Sequence, residues 1–267
     1  HWVVPDSNLF NQLGQTGVAY FFMISSFLFV NRLIEFKGEN YDWKSFFVKR
    51  FFRLAPLYFF IMIIIIIIVF NQSNWILSTD YLSFSKSIIK WFGFGVLGFE
   101  NINHVNTTII NAGVFWSLPY EWLLYFSLPL ISLMVNKSKA KIFFIILSLS
   151  FIIITLQYRE YGLEHLLSFA GGAVAPIIIK YNMRIKFNNV WFTLLLLVSI
   201  GSIFLFHSPS NYFCKILITI SFTLIALGND VFGLLKNTTL KFLGDISYST
   251  YLLHGIIIYG MINYIFG

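Results

Sequence analysis

The sequence has 267 residues, of which 58% are hydrophobic and only 11% charged, with a mean hydropathy of +0.78. Soluble domains carry about a quarter charged residues, so this composition excludes a soluble protein and indicates an integral membrane one. The formal net charge of +7 is concentrated in short loops between apolar stretches, the distribution of cytoplasmic loops rather than of a nucleic-acid binder.

Apolar stretches long enough for about 30 Å of hydrocarbon recur along the chain. They predict helices over 17–34, 55–70, 114–135, 142–157, 165–179, 189–206, 212–228 and 242–266. The pattern is an all-α, polytopic transmembrane helix bundle forming one membrane domain over 1–267, without a soluble domain. The segment 87–99, SIIKWFGFGVLGF, holds Lys90 and three glycines and reads either as a short crossing or as a re-entrant piece packed inside protein. The chain opens at His1 with no methionine or leader and is expected to lack its natural start; the span ending at Gly267 is expected to be cut short too.

Positive charge marks four places: Arg32 to Arg53, Lys137 to Lys141, Lys180 to Lys186, and Lys236 with Lys241. They fall on one side of the membrane if 87–99 does not cross. No internal repeat is visible, which weakens a transporter built from inverted halves. The one cysteine, Cys214, excludes an internal disulfide, and in an apolar run it reads as packing.

Three constellations carry chemistry. Arg50 and Arg53 are three apart and share a helix face, with Lys49 beside them. Pro56 suits the first turn of a following helix, so the basic segment is expected to end near Ala55. The cluster is either a topology anchor or a phosphate clamp, since guanidinium forks match phosphate oxygens. In WSLPYEWLLYF, Pro119 is tolerated only in a first turn, so a helix is expected to start near the cap residue Ser117 with Glu121 at its head. The helix dipole favours a carboxylate there, yet an ionisable group inside a span usually lines a site. In LGDISYSTYLLH, the residues Ser247, Tyr251 and His254 are spaced to form a polar stripe on one helix face, beside Tyr248. His1 adds an imidazole suited to general-base work. His104, His165 and His207 show no metal-ligand spacing, and no metal is implied.

In this order the strings resemble the membrane acyltransferase type 3 family, the bacterial acyltransferases that O-acetylate cell-surface carbohydrates. GVAYFFMISSFLF resembles the family's glycine, paired phenylalanines and Ser-Gly turn through Gly17, Phe21, Phe22 and Ser25, with Ala19 and Ser26 departing from it. KRFFRLAPLY is similar to its paired-arginine motif through Arg50, Arg53, Pro56 and Tyr58; WSLPYEW through Trp116, Ser117 and Glu121; SYSTYLLH through Ser247, Tyr248, Tyr251, Leu252 and His254. His1, sixteen residues before Gly17, falls where the family's first span ends in a histidine.

The resemblance implies about ten spans, about eight or nine of them present here, with 87–99 counted as a crossing. It implies transfer of an acyl group, usually acetyl from acetyl-CoA or another acyl-CoA, to a carbohydrate hydroxyl at a bacterial inner membrane. His1 would be the base and Arg50 and Arg53 would hold the CoA phosphates. Glu121 stands with His1 among the catalytic candidates, and Ser25, Trp116, Ser117, Ser247, Tyr248, Tyr251 and His254 would line the substrate path. The alternative class is a transporter or flippase for a polar or lipid-linked solute, using the same buried Glu and His as a coupling path.

Overall fold

The computed structural model describes residues 8–36, 41–135, 141–181, 189–205 and 211–265. Among them the backbone forms eleven α-helices and no strand, joined by short 3-10 turns. This is the all-α arrangement the hydropathy requires, because a chain in hydrocarbon must satisfy its own peptide groups. The helices fall into two compact units.

The first unit contains α1 (Asn8–Glu35), α7 (Leu163–Gly172), α8 (Val174–Lys180), α9 (Val190–Ile203) and α10 (Tyr212–Ala226). Its core gathers Ala19 and Met23 of α1 with Ile203, Cys214, Ile218 and Phe222, so Cys214 is a packing residue. Backbones approach closely here: a Cβ on Gly172 would lie 2.2 Å from the Met23 carbonyl oxygen, which allows α7 to lie directly on α1. Polar groups are paired across helices. Tyr20 shares a 2.5 Å hydrogen bond with Ser221, and the Asn229 amide donates to Thr193 at 3.0 Å. The helix expected over 165–179 is the helical stretch Leu163–Lys180, with a turn at Ala173 between α7 and α8.

The second unit is built on α2 (Trp43–Gln72), with α3 (Tyr81–Phe92), the short α4 (Thr107–Ile110), α6 (Ile142–Tyr158), and most of α5 (Leu118–Val135) and α11 (Thr238–Gly260). Ring pairs set α5 antiparallel to α2: Phe47 on Phe126 (4.9 Å), Phe46 on Tyr125 (5.9 Å) and, farther along α2, Tyr58 on Phe115 (4.7 Å). α6 joins through Phe126 stacked on Phe151 at 3.8 Å. α11 runs alongside α2, Tyr248 reaching the Leu54 carbonyl at 3.4 Å and Tyr259 accepting from Gln72.

Two sequence expectations are corrected. The basic segment does not stop at Ala55, because α2 runs unbroken from Trp43 through Pro56 to Gln72. Leu54, Ala55 and Tyr58 are all buried around the proline, and this packing outweighs one missing hydrogen bond. The short helix considered over 87–99 is instead α3, which starts at Tyr81 and ends at Phe92, after which Phe94 and Gly95 turn with positive φ. Its 12 residues extend about 18 Å, short of the hydrocarbon thickness.

Three helical stretches are long and apolar enough to cross a membrane, Leu9–Glu35, Trp43–Gln72 and Leu163–Lys180, while α6, α9 and α10 are apolar but shorter.

Gly255 on α11 faces the Asn111 carbonyl, where an added Cβ would sit 2.1 Å from oxygen, whereas Gly244 on the same helix has open space around it. Gly255→Ala is expected to destabilise the protein by about 1–3 kcal/mol through overpacking, and Gly244→Ala to leave stability unchanged or raise it. Thermal unfolding in detergent checks this; equal melting of the two variants would show that α11 does not need the close approach.

Candidate functional site

The second unit brings residues from α2, α5 and α11 to one place. Glu121 lies in the first turn of α5, which begins at Leu118 after a 3-10 turn over Val114–Ser117, so Pro119 sits in a first turn as its chemistry demands. The Glu121 side chain is 3% exposed. One turn on, the Tyr125 hydroxyl donates to its Oε1 in a short hydrogen bond, and Tyr125 is itself fully buried.

Arg50 and Arg53 stand on α2 at the level of this carboxylate, and both act on it electrostatically, Arg53 the more strongly. Antiparallel packing produces this register. With Phe46 and Phe47 opposite Tyr125 and Phe126, the next turn of α2 must pass the first turn of α5. Arg50 is half-buried with its guanidinium 5.9 Å above the Phe46 ring, while Arg53 is exposed. The cationic pair therefore has one member anchored against the bundle and one reaching outward.

α11 closes the third side. Tyr248 interacts electrostatically with both Glu121 and Arg53. Tyr251 donates to the Val114 carbonyl at 3.0 Å and also hydrogen-bonds the Ser117 side chain, which ties α11 to the turn that starts α5. His254 is half-buried, its Nδ1 2.7 Å from the Tyr251 carbonyl and its ring 5.8 Å from the Tyr251 ring.

The sequence-derived candidates thus divide. Glu121, Arg50, Arg53, Ser117, Tyr248 and Tyr251 are connected, and His254 continues the line along α11. Trp116 is half-buried; its carbonyl accepts from Arg159 at 3.3 Å and its ring meets Tyr120 edge-on. Ser247 lies on the same face of α11 as Tyr251 and His254, but in a stretch of the helix that is exposed, and its hydroxyl donates to the Gly244 carbonyl. Ser25 is buried in α1 of the first unit. His1 lies outside the described residues.

Sequence reading passed over Tyr125 and Arg159, and gave Tyr58 as a motif position without a role. Tyr125 was detectable, because EWLLY sets a hydroxyl one turn from the carboxylate. Tyr58 donates to the Trp91 carbonyl at 2.5 Å and is close enough to affect Tyr248. Arg159 braces two turns at once, through the Gly95 carbonyl at 3.4 Å and the Trp116 carbonyl; nothing local in YREY announces such a reach.

A buried carboxylate with a hydroxyl donor, beside guanidinium forks, can bind and orient a phosphate-bearing, partly polar substrate at an apolar wall. The model of the acyltransferase domain of the type 3 family matches residues 1–267, the whole chain. The chain belongs to this acyltransferase family. A protein of Acidianus two-tailed virus named "Putative acetyltransferase ORF330" is 26% identical over 258 residues, covering 90% of this chain and 72% of that protein. No solved structure matches. Family membership decides between acyl transfer and transport in favour of acyl transfer.

Tyr125→Phe leaves the buried carboxylate without its hydroxyl donor and is expected to cost about 1–3 kcal/mol. In a double-mutant cycle with Glu121→Gln, that cost should shrink by at least half, since the partners share one interaction. Additive losses in unfolding experiments would show that the pair is not coupled.

Proposed function

We propose that this acyltransferase moves an acetyl or similar acyl group from acyl-CoA to a hydroxyl of a cell-surface carbohydrate at a bacterial inner membrane. One observation carries the reading: the Arg50 and Arg53 guanidiniums stand beside a buried carboxylate held by Tyr125. A topology signal needs only positive charge in a loop, whereas these arginines lie inside α2, within electrostatic reach of Glu121 at the head of α5. Fixed guanidinium forks suit the phosphates of the CoA moiety. The name of the viral relative supports acetyl as the group moved.

In the reaction, His1 takes the proton from the acceptor hydroxyl as its oxygen attacks the thioester carbonyl. The new C–O bond forms, the C–S bond breaks, and the CoA thiolate leaves to recover the proton from His1. Such a base contributes about 10²- to 10⁴-fold, so positioning of the two substrates supplies the rest. Glu121 holds the arginine pair by charge, Tyr125 fixes Glu121, and Tyr248 and Tyr251 orient the acceptor from α11.

Membranes containing the intact protein should release free CoA from acetyl-CoA only when envelope glycans are present. Arg53→Lys should raise the apparent KM for the donor by roughly tenfold with kcat little changed, because a point charge replaces a bidentate fork. His1→Ala should lower turnover by about 10²- to 10⁴-fold without affecting insertion. An unchanged donor KM in Arg53→Lys would reduce the cluster to an anchor, and full turnover by His1→Ala would remove the base.

A further inference from the structure

The acyl-transfer reading uses no ionisable residue of α7 or α10, yet a cation is enclosed there. Lys215 lies in the first turn of α10 and is 6% exposed. Its Nζ stands 3.4 Å from the Ser168 hydroxyl on α7, and that hydroxyl already donates to the Glu164 carbonyl at 3.0 Å. Among the described residues no carboxylate comes within 4.0 Å of the ammonium.

Glu164 is in electrostatic reach of Lys215, but its carboxylate is engaged elsewhere. It folds back over the start of α7, where a Cβ on Gly162 would meet Oε1 at 2.3 Å. It also faces His165 Nε2 at 3.5 Å, and its side chain is 33% exposed. Glu164 therefore complements the helix end and is solvated, and it does not neutralise a lysine buried deeper in the unit.

An ammonium offers three donors. Here one long contact to a neutral hydroxyl is all that the described residues provide, among apolar helices where an incompletely paired cation is costly. A leucine or methionine would fill the same position without that cost. Among the described residues nothing else completes the lysine, and an anion from outside the chain would do so.

The surroundings narrow the ligand. One fixed positive charge and one hydroxyl match a single negative charge, whereas a dianion would be left partly uncompensated. The adjoining wall is aromatic: Phe22 of α1 packs on Phe169 with centroids 4.6 Å apart and meets the His165 ring edge-on at 5.9 Å. His165 in turn lies within electrostatic reach of Lys215. A charged head beside an aromatic wall fits an amphiphile better than a free ion.

We propose that Lys215 and Ser168 form a binding site for a singly charged oxyanion borne on a lipid, a carboxylate or a phosphodiester, between α7 and α10. The site is separate from the acyl-transfer residues, and the inference does not rest on the donor or acceptor assigned above.

The test uses the intact protein in phosphatidylcholine nanodiscs, with phosphatidylglycerol, oleate or inorganic phosphate added in separate arms, and reads the unfolding midpoint. At a hundredfold excess over the dissociation constant, one lipid arm should raise the midpoint by roughly 5–10 °C; which arm responds identifies the head group. Inorganic phosphate should give no shift. Lys215→Met should lose the lipid-dependent rise while melting in phosphatidylcholine alone at least as high as the parent, because an apolar side chain replaces a buried charge. Should that variant fail to fold, Ser168→Ala provides the same test and should reduce the rise. The proposal is overturned by no rise with either lipid, by an equal rise with inorganic phosphate, or by a full rise in the variants. None of these readings depends on turnover, so an inactive enzyme and an empty lipid site give different results.

Discussion

A carboxylate buried among apolar helices constrains everything around it. Glu121, 3% exposed, is tolerable only if donors and positive charge are brought to it and held there. Tyr125 supplies the donor from within the same helix, at a cost of nothing but sequence spacing. The charge must come from another helix, so α2 and α5 have to pass antiparallel with one particular register. Aromatic pairs on either side of the site keep that register, from Phe47 and Phe126 to Tyr58 and Phe115. Sliding α5 by a single turn would take Glu121 away from Arg50 and Arg53 and break each of these ring contacts together.

The first unit is held by different means. Its interior depends on small residues that let backbones touch, as at Gly172 over Met23, and on isolated hydroxyl and amide pairs such as Tyr20 with Ser221. In hydrocarbon the attraction between helices is packing and hydrogen bonding, because lipid tails are as apolar as leucine. Against neutral pairs such as Tyr20 with Ser221 and Asn229 with Thr193, Lys215 stands out in this unit as a buried cation.

Much of the fold was legible in the sequence, because apolar length is a strong signal when every peptide group has to be satisfied internally. Expected helices at 142–157 and 212–228 match α6 and α10 within two residues. Local rules misled where tertiary packing decided, as at Pro56, which is carried through α2 by buried neighbours on each side. Composition could not bound the helix around 87–99, because its apolar residues continue past the turn at Phe94 and Gly95 that follows α3. For the site, residue types and spacing identified Glu121, Arg50 and Arg53. Periodicity placed Ser247 on the face of Tyr251 and His254, but it could not show that this end of α11 is exposed. Arg159 was invisible because its partners, Gly95 and Trp116, are brought to it only by the fold.

The contribution of α11 has a consequence for how the protein is made. Tyr248 meets the Leu54 carbonyl across 194 residues of sequence, and at about 5–20 residues per second that separation is roughly 10–40 s of synthesis. During this interval α2 and α5 can already lie side by side, with guanidiniums and carboxylate offsetting one another, while the third wall is still unmade. The earlier helices thus bring Glu121, Tyr125 and the arginines together first, and the pocket gains Tyr248 and Tyr251 only with α11. A ribosome that stalls before α11 therefore leaves a bundle without the third wall of the site.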